Sequence, residues 1–91
     1  VGNRSDRSTA ARYIIGVDLG GTNIVVGAMR ADGATRHAMH SVLTRADEGA
    51  DAVVARIAAA VERTIAETCE ETGATRADML GVGIGSPGPL D

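Results

Sequence analysis

Two apolar, β-branched runs, YIIGVDL at 13–19 and NIVVGAM at 23–29, are separated by Gly20-Gly21-Thr22 alone. Each run has strand length, and a three-residue spacer lets the second run only fold back beside the first. Ala31-Asp32-Gly33 then supplies the Asp-Gly signal of a tight hairpin turn. The segment ATRHAMHSVL after it reads as a third, more polar strand at or near a sheet edge. The first half of the chain is therefore expected to form an antiparallel three-stranded meander.

The period changes over residues 47–72. Val54, Ile57, Val61, Ile65 and Cys69 recur every three or four positions, which marks one face of a helix. Asp47 or Asp51 is expected to cap its start, and Gly73 stands where a C-terminal glycine belongs. MLGVGIG at 79–85 is a fourth strand, which the helical crossover should lay parallel to an earlier one. The expected order is β-β-β-α-β, an α/β domain over residues 12–91 behind a small, polar, disordered tail at 1–11.

Composition limits what this domain can do. Of 91 residues 44% are hydrophobic, but sixteen are alanine, and Tyr13 is the single aromatic. The core should be thin and its stability low, leaving the chain prone to association. All nine basic residues are arginine, scattered along a chain of net charge −3. Neither a basic patch nor stacking aromatics point to nucleic acid. No run approaches a membrane span, no apolar leader is visible, and Cys69 has no partner for a disulfide. A cytoplasmic protein is expected.

Chemistry concentrates at two motifs. In DLGGTN, Asp18 closes a strand, and Gly20 and Gly21 leave backbone N–H groups bare around one concave space. A phosphate fits there, with Thr22 adding a hydroxyl and Asp18 facing a divalent cation through water. The same pattern also suits a plain glycine hairpin whose aspartate caps its own turn. It is not a Walker P-loop, since GxxxxGK[ST] is absent. In GVGIGSPGPLD, Gly83, Gly85 and Gly88 match GxGxxG, but Pro87 and Pro89 oppose the helix that a dinucleotide fingerprint should open. A rigid ligand loop, or a structural turn, suits the motif better. His37 and His40, three apart on a strand, are expected on opposite faces as exposed polar positions, Cys69 as a packed core thiol, and Glu67, Glu70 and Glu71 as a solvated face.

GVDLGGTNIVVGAM, a long helix and GVGIGSPGPLD together resemble the opening of a ROK-family sugar kinase, a group that includes many bacterial glucokinases. The resemblance spans residues 12–91 and implies the β-β-β-α-β first lobe of the actin-like, RNase H-like ATPase fold. It implies that Asp18 lies near magnesium, that Gly20, Gly21, Thr22 and Asn23 cradle the ATP phosphates, and that Gly88 approaches a sugar hydroxyl between Pro87 and Pro89. Asn23 stands where many members carry lysine. The implied reaction is ATP-dependent phosphorylation of a hexose, glucose foremost, with Mg²⁺ and with polyphosphate as another conceivable donor. The family's catalytic base (an aspartate after an asparagine), its Glu/His sugar cluster and its zinc motif are not found in these 91 residues. The resemblance thus implies an incomplete N-terminal fragment, inactive alone. The alternative is a non-enzymatic binding or regulatory member. The family's repressors carry a winged helix ahead of DLGGT, which the seventeen residues before Asp18 do not resemble. Relatives of the kinase branch are implied to be homo-oligomers.

Overall fold

The computed structural model describes residues 11–33 and 35–86. The expected tail therefore lies outside the described residues except for Ala11, as do Pro87, Gly88 and Pro89.

The described residues form an α/β domain with a four-stranded mixed sheet and one long helix. The strands are β1 (Tyr13–Leu19), β2 (Asn23–Arg30), β3 (Arg36–Leu43) and β4 (Met79–Gly85), and the helix α1 is Ala50–Thr72. The sheet order is β3-β2-β1-β4. β1, β2 and β3 are the antiparallel meander, and β3 is indeed an edge. The crossover through α1 returns β4 parallel to β1. The turn into β3 is closed by Gly33 at φ 79, whose N–H donates to Arg30 O at 2.8 Å.

Alternation sets the core. Tyr13, Ile15 and Val17 on β1, with Ile24, Val26 and Ala28 on β2, are buried beneath α1. Ile14, Gly16 and Asp18 point to the opposite face, which no element among the described residues covers. α1 lies across β2 and β3, touches β1 less, and leaves β4 beyond its edge. Val82 and Ile84, in register with Ile15 and Val17, share the helix-side face but stay 49% and 61% exposed.

The helix departs from expectation at its start and at Val54. Its N-cap is Gly49, with no side-chain cap; Asp47 sits in a preceding 3₁₀ turn (Ala46–Glu48), and Asp51 falls in the first helical turn. Neither aspartate caps α1, because Gly49 at φ 99 turns the chain into the helix by backbone geometry alone. Gly73 does close the other end, at φ 81, with its N–H on Cys69 O at 2.9 Å. The buried stripe is Ala60, Thr64, Ile65 and Thr68, whereas Val54 is 63% exposed. The expected face otherwise holds: Ile65 is in the core, Ile57, Val61 and Cys69 pack against it, and Val53 takes the place of Val54. Cys69 packs half-buried beside the core, as expected.

The histidines correct a second expectation. The β2–β3 register shifts between Val26 and Ala28, so that Val26 pairs with His40 and Ala28 with His37. Ala38, in the left-handed region at φ 51, is the extra residue of this bulge. One added residue turns a separation of three into the same face. Both imidazoles therefore face α1. His37 Nδ1 donates to Glu71 Oε1 at 2.9 Å, and His40 Nε2 to Glu67 Oε1 at 2.8 Å. They are half-buried partners of the helix rather than exposed polar positions, and Glu67 and Glu71 are engaged rather than merely solvated. Thr64 Oγ1 donates to Ala38 O at 3.2 Å, tying the bulge to the helix. The His40 hydrogen bond chiefly holds the Glu67 carboxyl below its ordinary range; desolvation opposes this and Arg63 adds to it.

Candidate functional site

The β1–β2 connection is pinned tightly at one residue and left open at the next two. Gly20 N–H donates to Asn23 O at 2.9 Å, and a Cβ on Gly20 would stand 3.0 Å from that backbone oxygen. A side chain there would crowd the backbone of the turn itself. Gly21 differs. A Cβ on it would meet nothing within 4 Å, and its φ is not in the left-handed region. Among the described residues, neither Gly21 N–H nor Thr22 N–H has a backbone acceptor. The turn thus presents two consecutive amide donors to solvent, flanked by the exposed Thr22 and Asn23 side chains.

Asp18 is exposed on the face away from α1 and makes no ion pair or hydrogen bond through its carboxylate among the described residues. It does not cap the turn, so the structural alternative for this aspartate has no bond to support it. Its neighbours in register are Val25 on β2 and Gly85 on β4. The parallel pairing of β1 with β4 brings the two glycine-rich motifs, more than sixty positions apart, to the same carboxyl end of the sheet. Gly83 and Gly85 lie inside β4 rather than at the mouth of a helix, which is not how a dinucleotide fingerprint is used. Gly88 lies outside the described residues.

Behind Asp18 the uncovered face forms an open cavity of about 450 Å³. Gly83, Gly16 and Gly27 lie side by side across its floor, with Ile14, Met29 and Met39 around them. The Met39 side chain lies over Gly27, where a Cβ would fall 2.0 Å from its sulfur and displace it. Asp18 and Arg36 are the charged groups of this lining.

For a metal, Asp18 offers one carboxylate. No cluster of three or more His, Cys, Asp or Glu side chains capable of holding an ion is found among the described residues. One exposed carboxylate beside amide donors suits magnesium, which keeps several waters and takes its remaining oxygens from bound phosphates. It does not suit a site built wholly from protein ligands.

Thr44 is the residue that sequence reasoning missed. It is 4% exposed, directly after β3. Its N–H donates to Thr22 O at 2.8 Å and its hydroxyl to Gly20 O at 2.8 Å. Arg56 Nη1 donates to Thr44 O at 2.6 Å, and Arg56 Nη2 pairs with Glu48. Nothing in the local sequence marks a threonine at the end of an edge strand as a partner for a turn twenty-four positions earlier.

No family model, no curated protein and no solved structure matches the chain. No helix among the described residues is long and apolar enough to cross a membrane.

Proposed function

We propose that this chain carries the donor-phosphate cradle of a sugar kinase of the ROK type, on the first lobe of an actin-like ATPase fold. The observation that supports it best is the convergence of DLGGTN and GVGIGS at one end of the sheet. Asp18, the open amides of Gly21 and Thr22, and the end of β4 meet where parallel strands finish, the edge at which α/β sheets bind ligands. Magnesium fits this reading, since it would neutralise charge on the transferring phosphoryl group. Asp18 would hold it through water. The Gly21 and Thr22 amides, with the Thr22 hydroxyl, would bind and orient phosphate oxygens. The sugar hydroxyl would approach from the loop that follows β4, where the resemblance puts Gly88. Turnover is not assigned to these residues, because none of them is placed to take a proton from the acceptor hydroxyl. On this reading the cosubstrate is ATP or a polyphosphate, and the acceptor a hexose.

The test is a titration of the ¹⁵N-labelled chain with Mg²⁺ and either ATP or inorganic tripolyphosphate. Shifts should centre on the amides of residues 18–23, extend to Gly85 and Ser86, and weaken when Mg²⁺ is chelated. Absence of binding, or shifts confined to the cavity around Met39, would reject the cradle.

A further inference from the structure

We propose that Thr44, braced by Arg56 and Glu48, is the positioning residue that aims the Gly21 amide outward and holds the turn on both sides of the Thr22 amide. The inference rests on the cradle reading and adds the device that holds the cradle open. In a closed two-residue hairpin the carbonyl of the first residue accepts from the N–H of the fourth. Here the Gly20 carbonyl is instead taken by the Thr44 hydroxyl. The Thr22 carbonyl is taken by the Thr44 N–H. Two carbonyls of the turn are thereby drawn toward the end of β3. The Gly20 carbonyl shares its peptide plane with the Gly21 N–H, so that donor is fixed by what lies on its far side; the Thr22 carbonyl shares its plane with the Asn23 N–H, so the turn is held on both sides of the Thr22 amide. An anion gains from donors that are already aimed, because little ordering remains to be done on binding.

The brace is built rather than incidental. Thr44 is buried although it lies outside the strand, and its own carbonyl is held by Arg56 from the second turn of α1. Arg56 is held in turn by Glu48 in the 3₁₀ turn. The next residue, Arg45, adopts the left-handed conformation at φ 51, a geometry that non-glycine residues keep only when neighbours enforce it. Glu48 N–H closes that turn on Arg45 O at 3.0 Å. The start of α1 is thus linked by hydrogen bonds to the turn between β1 and β2.

Thr44→Val keeps the shape and removes the donor; Thr44→Ser keeps the donor and removes a methyl. The assay is amide-detected titration of each variant with Mg²⁺-tripolyphosphate, beside heteronuclear NOEs of Gly21 and Thr22 in the free chain. Thr44→Ser should bind within threefold of the parent. Thr44→Val should bind at least tenfold more weakly, with lowered NOEs at Gly21 and Thr22 and unchanged peaks in mid-α1. Equal affinity for Thr44→Val and the parent, or equal losses for Thr44→Ser and Thr44→Val, would overturn the proposal. If Thr44→Val does not fold, Arg56→Gln takes its place, with the same ordering expected. If the parent binds no tripolyphosphate, the cradle reading fails by itself. The brace then stands or falls on whether Thr44→Val loosens the turn of the free chain.

Discussion

Gly20 and Gly21 are neighbours of identical chemistry, yet a side chain would meet different surroundings at each. In Gly20→Ala the new Cβ stands 3.0 Å from Asn23 O, a backbone atom that cannot swing aside. The turn must open and weaken the Gly20–Asn23 hydrogen bond, at a cost of about 1–2 kcal/mol. For a domain of this size that is roughly 4–8 °C of melting temperature per kcal/mol. In Gly21→Ala the Cβ meets nothing, and the backbone conformation is open to alanine. Stability should stay level or rise by up to about 1 kcal/mol, since alanine narrows the unfolded ensemble. Binding should reverse the order of harm. A methyl beside the open amides keeps a phosphate oxygen from the Gly21 N–H, and a hydrogen bond to a charged partner is worth about 1.5–3 kcal/mol, or roughly ten- to a hundredfold in affinity. Thermal melts and Mg²⁺-tripolyphosphate titrations of both variants give the two readouts. A Gly21→Ala chain that binds like the parent would refute the argument, and so would one destabilised as much as Gly20→Ala.

Asp18→Asn should leave the melting temperature within about 2 °C, because the carboxylate has no partner to lose, while removing most of the Mg²⁺ dependence of tripolyphosphate binding. Thr68 is fully buried and its hydroxyl finds no partner among the described residues, so Thr68→Val should stabilise the chain by about 1 kcal/mol in urea titration; Thr64→Val, which loses the bond to Ala38 O, should destabilise it. Glu62 and Glu67 are held below the ordinary 4.5, by the hydrogen bonds of Arg76 and His40 respectively. Their stabilisation is present above that value and is lost as pH falls through the lowered ones, so Glu62→Gln with Glu67→Gln should flatten the acid limb of a stability–pH profile measured from pH 5 down to 3. The bare face carrying Ile14, Met29 and Met39, with Val82 and Ile84 exposed on β4, should make the purified chain self-associate; a monodisperse monomer by light scattering, unfolding in one transition above about 5 kcal/mol, would contradict this.

The elements were legible because their signals are local. Three-residue and Asp-Gly spacers force hairpins, and one long run of helical period forces a crossover, so the meander and the parallel return of β4 follow from spacing. What spacing did not carry is whatever depends on a single extra residue or a distant partner. Ala38 is an alanine in a left-handed bulge, a conformation its side chain does not advertise, and by itself it moves His37 onto the face of His40. The helix face was legible except at its first position, where Val53 rather than Val54 packs on the core. Period alone does not show that Thr64 and Thr68 join Ala60 and Ile65 on the buried face, because a threonine reads as polar until its neighbours are known. The site divides in the same way. Asp18 and the glycine turn are visible as a motif because they are contiguous in sequence, a carboxylate at a strand end followed at once by bare backbone. Thr44 is invisible, because its role consists of bonds to Gly20 and Thr22 that exist only once β3 has returned alongside β2. A motif records the groups that would face a ligand; the groups that aim them are recorded only in the register of the sheet.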